Sequence, residues 1–325
     1  MPQTSQVERF ELGFRCYNFL IKGKNMNKFK SLVAVAVLAT VSAPTFADAD
    51  IYGKLNVSVQ SSDDGSESIT ELKSNASRFG IKGSEKLDGG LEVVYKYEFQ
   101  VDPTDESGEK NIKSRNQYIG LKGSFGEVLL GRNDTMFKQS QGKFDLFSDY
   151  EADIKNLWKG ENRMSDSISY KSPKFNGIQF GVSYILDEEN DDASTSISAT
   201  YGDKALKKGK YYAAVAMDSD VKGYDATRLT VGAKVSDVKL GAMVQVQEAV
   251  DSGDDKTGFL VNAQYKVGKF NLKGQYQTLE DDNGFTLGFD RKLGKNTKLF
   301  GFFTNFNMDE AEDETYLAVG VEQKF

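Results

Sequence analysis

The stretch "LEVVYKYEFQV", residues 91–101, alternates almost throughout: Leu91, Val93, Tyr95, Tyr97, Phe99 and Val101 share one parity, and Glu92, Lys96, Glu98 and Gln100 share the other. A repeat of two marks a β-strand with unlike faces. The same rhythm precedes it in "IYGKLNVSVQ" (51–60), where Ile51, Leu55, Val57 and Val59 oppose Lys54, Asn56, Ser58 and Gln60. Continued to the end of the chain, the reading gives about sixteen such segments.

Alternation alone does not put the apolar face in lipid, because a soluble sandwich or propeller alternates too. The connections discriminate better. One set is short and often basic ("KLDGG", "GSFGE", "SPKFNG", "KVSDVK", "VGKF", "LGKN"), with the longer "GDKALKKGK" as its exception. Every second connection is longer and acidic ("SSDDGSES", "DEENDD", "DSDVKGYD", "DSGDDK", "EDDNG", "DEAEDE"). Short turns at one end and long loops at the other, joined by strands of about ten residues, is the plan of a closed barrel in an outer membrane. Closure also leaves no sheet edge unpaired in lipid. The expected fold is therefore all-β, a transmembrane antiparallel β-barrel of about 16 strands; fourteen or eighteen fit the lengths as well.

The chain has 325 residues, 27% of them charged, and a mean hydropathy of −0.49. It contains no apolar run long enough for a spanning helix. Its one continuous apolar run, "LVAVAVLATV" (32–41), follows Lys28 and Lys30 and precedes "APTFA". That is the make-up of a signal peptide over 26–47, cleaved after Ala47. Met26 would be its initiator, and residues 1–25 then read as an upstream extension, or else as a genuine N-terminal arm. The only cysteine, Cys16, falls in that extension, so the barrel segment, 48–325, has no disulfide to lean on. With 6 of 41 basic and 2 of 48 acidic residues in 1–47, the remainder carries 35 against 46, a net −11. Nucleic acid is not an expected partner of so acidic a chain. Histidine is absent from all 325 residues. Ser-His hydrolases and most zinc sites are thereby excluded, and no phosphate-binding glycine loop is present. No enzyme, cofactor or metal site is expected.

"ADIYGKLNVSVQ" (49–60), "ASRFGIKGSEKLDGGLEVVYKYEFQ" (76–100), "SRNQYIGLKGSFGEVLLGR" (114–132), "GENRMSDSISYKSPKFNGIQFGVSY" (160–184) and the closing "YLAVGVEQKF" (316–325), behind a leader, together resemble the general diffusion porins of Gram-negative outer membranes. Each piece is weak alone; the combination spans residues 48–325. The resemblance implies an outer-membrane, water-filled channel of sixteen strands, usually a homotrimer, whose third outer loop folds into the lumen. It also implies that Phe325, on the apolar parity of Leu317, Val319 and Val321, ends a strand read by the barrel-assembly machinery.

The third long connection is "TMFKQSQGKFDLFSDYEADIKNLWKGENR" (135–163). Structureless connections of this size are uncommon unless they act. "SDYE" matches a capping box at Ser148 and Glu151, with Gly160 as a stop, and Tyr150, Ile154, Leu157 and Trp158 fall at helical spacing. Folded inward, that stripe packs on the barrel wall while Asp145 and Asp149 point at the lumen. By the resemblance these two match the acidic pair of the porin constriction, and Lys54, Arg78, Arg115 and Arg163 match the basic ladder opposite. Arg78 has support of its own, since an arginine on the lipid face at mid-bilayer costs about 2–4 kcal/mol. Arg132, Glu151 and Asp153 are lesser pore candidates; the two acids serve a helix start equally well.

Charges facing each other across a lumen near the Debye length set up a transverse field. With Asp145 and Asp149 answering the ladder, the net −11 points to weak cation selectivity. A substrate-specific porin using Phe144, Phe147, Tyr150 and Trp158 as an aromatic slide, and a secreted β-rich adhesin, are the other readings. The acidic outer loops either hold Ca²⁺ or Mg²⁺ that bridges lipopolysaccharide or are simply solvated.

Overall fold

The computed structural model describes residues 49–104, 111–186 and 193–325. The expected leader (26–47), the expected upstream extension (1–25) and the acidic loop "DEENDD" lie outside the described residues.

Seventeen strand segments are described. They are β1 (Ala49–Asp63), β2 (Ser68–Ser74), β3 (Arg78–Lys86), β4 (Glu92–Val101), β5 (Ile112–Gly123), β6 (Gly126–Asp134), β7 (Arg163–Lys171), β8 (Ile178–Ile185) and β9 (Ser194–Gly202), then β10 (Tyr211–Ser219), β11 (Tyr224–Val235), β12 (Val238–Ala249), β13 (Asp255–Val267), β14 (Phe270–Leu279), β15 (Asp282–Lys292), β16 (Thr297–Asn307) and β17 (Glu314–Lys324). All pairings are antiparallel, and β17 returns to β1 with Val57 opposite Val321. β2 and β3 are one stave: β1 pairs with β2 from Val57 to Asp63 and with β3 from Ala49 to Lys54. The barrel is thus closed and sixteen-stranded. At the break between β2 and β3, Ala76 has φ 50° and the Asn56 N–H donates to Ser77 Oγ at 3.0 Å. A bulge of this kind re-aims the residue that follows, and here that residue is Arg78.

The alternation is inside out relative to a soluble domain. Ile51, Val59, Tyr97, Leu317 and Val319 are more than half exposed on the outer face, whereas Asn56, Ser58, Gln60, Glu98, Gln245 and Gln275 are buried on the inner one. An apolar belt around a polar interior suits hydrocarbon outside and water inside. At the seam, the Gly53 and Phe325 backbones exchange hydrogen bonds of 3.0 and 3.2 Å. A Cβ on Gly53 would overlap the Phe325 ring, so the terminal aromatic closes the sheet over a glycine.

Candidate functional site

Residues 135–162 leave β6, turn inward and cross to the far wall. The segment opens with helix α1 (Met136–Ser140), capped by Thr135, whose hydroxyl accepts the Lys138 N–H at 3.2 Å. The helix expected from the capping box does not form. Ser148 to Gly160 is a chain of turns with a single 3-10 turn, Ile154–Asn156, capped by Asp153. The physical reason is where the apolar groups go. Ile154, Leu157 and Trp158 join Phe144 in a cluster with Tyr212, Met243, Leu260, Leu279 and Phe306, while Tyr150 packs with Phe147 against Phe300 and Phe302 in another. One helical stripe cannot face two separate patches of a curved wall.

The wall is shaped to receive these rings. A Cβ on Gly232, Gly258 or Gly288 would fall on Phe144, Trp158 or Phe147 respectively. Wall side chains also satisfy the loop backbone that leaves water: Gln275 Oε1 accepts from Leu146 N at 2.9 Å, Gln247 Oε1 accepts from Lys159 N at 2.8 Å, and Tyr212 donates to the Ser140 carbonyl at 2.7 Å. Trp158 Nε1 donates to the Thr278 carbonyl at 2.7 Å. Gly258→Leu should therefore unseat Trp158, since overpacking of this kind costs about 1–3 kcal/mol. Trp158 is the only tryptophan in the chain. Its fluorescence should move to the red in the variant, and an unshifted spectrum would refute the socket.

On its other side the loop meets β1–β3. Asp149, at φ 76°, accepts from Lys54 Nζ at 3.0 Å and from Arg78. A non-glycine residue in this left-handed region is uncommon, and strain of that kind gathers at functional sites. It is held by its own N–H, which donates to Asp153 Oδ2 at 3.0 Å. Burial would raise the Asp149 carboxyl, but Arg78 and Lys54 overcome it and hold the group well below the usual carboxylate range. Glu151 pairs with Lys73 at 2.8 Å and accepts from Gln60.

Of the expected ladder, Arg78, Arg115 and Arg163 border one luminal cavity with Asp149, and Lys54 borders a second with Arg78 and Asp149. Lys54 and Arg78 touch Asp149 directly, with no water gap between them. Arg115 pairs with Glu98 at 2.8 Å, and Arg163 with Asp134 at 2.9 Å, each on the same wall. Asp145 borders that second cavity with Lys54, Arg78 and Asp149, yet it is largely buried, and its oxygens accept from Phe147 N, Ile154 N and Gln275. Burial, with Asp153 beside it, pushes its carboxyl up. Asp145 holds the loop in shape because unsatisfied loop amides, buried against a wall, need an acceptor. Asp153 does the same for Asp149 and Lys155 while bordering the lumen. Arg132 lies at a register shift in β6, between Gly131 and Asn133, and donates to Ser165 Oγ at 2.8 Å.

Sequence reasoning missed Glu98, Asp134, Lys73 and the pair of Glu161 with Arg228, 2.7 Å apart and buried beneath the loop. Strand parity carried a signal for two of them: Glu98 alternates with Tyr97 and Phe99, and Arg228 with Thr227 and Leu229. A luminal cavity of about 680 Å³ is bordered by nine basic and six acidic residues, and a second, of about 490 Å³, by six basic and four acidic.

A family model for Gram-negative porins matches residues 34–311. This chain belongs to the Gram-negative porin family. It is 27% identical to outer membrane porin protein 32 of Delftia acidovorans over 307 residues, 84% of this chain and 88% of that protein. It is 28% identical to the major outer membrane protein P.IB of Neisseria meningitidis serogroup B, over 80% and 83% of the two chains. An anion-selective porin from Comamonas acidovorans superposes with a TM-score of 0.70 at 24% identity, covering 85% of this chain and 99% of that one, which bears on the fold. As a porin, the chain forms a channel in the outer membrane of a Gram-negative bacterium.

Proposed function

We propose that this porin is a general diffusion channel for small hydrophilic solutes, narrowed by residues 135–163 and preferring anions. The observation that carries this reading is the lining of two luminal cavities, nine basic residues to six acidic in one and six to four in the other. Partners outside the first lining cancel one charge of each sign, Arg228 for Glu161 and Glu98 for Arg115. The sequence pointed the other way, toward cations, because the net −11 counts outer-loop carboxylates equally with those in the pore. Charge close to the path outweighs charge beyond a Debye length of about 8 Å.

In this reading Lys54, Arg78, Arg115, Arg163 and Asp149 shape the field at the constriction, with Glu151 and Asp153 at its edge. Asp145 acts by holding the loop. Phe144, Phe147, Tyr150 and Trp158 are buried against the wall, which argues against an aromatic slide for sugars. A homotrimer, recognition of Phe325 by the assembly machinery, and lipopolysaccharide contact at the acidic loops belong to the same proposal, as does export through the leader 26–47.

Deleting part of the segment between Gln139 and Trp158 should raise single-channel conductance and the size of sugar admitted in liposome swelling. A folded deletion variant with the wild-type conductance and cutoff would refute the constriction. In a KCl gradient the wild type should give an anion-selective reversal potential, and a cation-selective one would refute the lining argument.

A further inference from the structure

The connection "GDKALKKGK" (202–210) is longer than its neighbours on the short-turn side, and the diffusion channel just proposed gives it no role. It folds inward. Leu206 is buried in the cluster that holds Phe144 and Trp158, and the Lys204 carbonyl accepts the Lys143 N–H at 2.9 Å. The turn therefore reaches the constriction loop inside the lumen, from the side opposite the long loops.

This junction carries charge of a different kind from the rest of the pore. Lys54, Lys73, Arg78, Arg115, Lys138 and Arg163 each have a carboxylate within 4.0 Å. Lys143, Lys171 and Lys204 border the same cavity, and among the described residues none of the three is in an ion pair. Lys204 is near enough for its charge to act on both of the others. The acids nearby offset this only in part. Asp203 spends its oxygens on the backbone N–H groups of Ala205, Lys207, Lys208 and Gly209, at 2.6 to 3.1 Å. Glu127 acts on Lys171 from across the ladder and Asp134 acts on Lys143 and Lys171, neither acid through an ion pair with these lysines, and Asp149 and Asp134 are held by other cations. Burial and the Lys204 charge lower the Lys143 ammonium below its ordinary value, the mark of a cation short of counter-charge. Beneath α1, another cavity of about 450 Å³ is lined by Lys171 and Lys204 together with Lys174, Lys207 and Lys208.

We propose that Lys143, Lys171 and Lys204 form a binding site for a small anion carrying two or more charges, on the turn side of the constriction. The site rests on the channel reading and deepens it. A monovalent ion answers one ammonium group and leaves the others repelling. A di- or polyvalent oxyanion answers several at once, and its charge-assisted hydrogen bonds are the strong kind. The cavity has room for a molecule of pyrophosphate size and none for a macromolecule. A solute of this class would dwell at the site between the turn-side mouth and the loop, so its flux would saturate where that of chloride does not.

The test is block of single-channel chloride current by inorganic pyrophosphate in planar bilayers. Wild-type channels should show concentration-dependent block. The variant carrying Lys143→Gln, Lys171→Gln and Lys204→Gln should need at least tenfold more pyrophosphate for half-block. Lys204→Gln alone, on an exposed turn where folding is not at stake, should need severalfold more. Absence of block in the wild type, or an unchanged half-blocking concentration in Lys204→Gln and the triple variant, would overturn the site. Failure of the channel reading shows differently, as no KCl conductance before any pyrophosphate is added.

Discussion

Arg228→Met is expected to turn a quiet channel into a noisy one. The guanidinium lies 2.7 Å from the Glu161 carboxylate and over the rings of Phe137 and Trp158, with centroids at 4.4 and 5.6 Å, so it is enclosed by the loop it secures. Removing one partner of a buried ion pair strands the other charge, at a cost of about 3–5 kcal/mol. Burial already pushes the Glu161 carboxyl up, and without Arg228 only the more weakly acting Lys138 offsets that. The loop should then leave the wall for part of the time, giving large conductance steps in single-channel records. Replacing both partners, Arg228→Met with Glu161→Leu, removes the stranded charge, and should restore most of the quiet state. A single variant with a wild-type record would mean that the pair does not hold the loop.

Asp149→Asn should give the largest change in selectivity. It leaves Lys54 and Arg78 in the lumen without their shared counter-charge. A unit charge about 8 Å from a passing ion in water is worth about 0.5 kcal/mol, of opposite sign for the two ions, so the anion-to-cation permeability ratio should rise roughly fivefold. Acid sharpens the test. Because the Asp149 carboxyl sits below its ordinary value, it stays ionised where free carboxylates protonate. Its attraction to Lys54 and Arg78 is present above the unfolded value and persists as pH falls, until the lower folded value is reached. The difference between wild type and Asp149→Asn should thus hold from pH 7 down to about pH 3. A difference that is half gone near pH 4, where a free aspartate titrates, would show that Asp149 is not clamped as described.

Much of this was legible in the sequence for a simple reason. A lipid-facing strand cannot hide its parity, so "LEVVYKYEFQV" and "IYGKLNVSVQ" declare inner and outer faces, and the connections declare the two ends. The loop was conspicuous by length and its docking by its aromatics. Its shape was not legible, because helical spacing of Tyr150, Ile154 and Trp158 is equally compatible with side chains that reach two separate patches of wall on strands far away in sequence. The same non-locality hid the roles of the acids. Asp145 and Asp149 look alike in "FDLFSDY", yet one meets loop amides and Gln275 while the other meets Lys54 and Arg78. Arg132 was undecidable from parity because the register shift in β6 breaks the alternation just there.

The docked loop has a mechanical consequence. A water-filled barrel has no packed interior to oppose flattening, and its round section would otherwise rest on the sheet alone. Residues 135–162 join three arcs of that section. They are covalently rooted in β6 and β7, seated on β10–β16 through two aromatic clusters, and tied to β1 and β3 through Asp149. The segment proposed to narrow the channel is also its internal cross-brace. Lateral pressure from the membrane must break the Asp149 tie or lift rings from the wall before the section can become an ellipse, and stiffness against squeezing comes with the same residues that we propose limit flow.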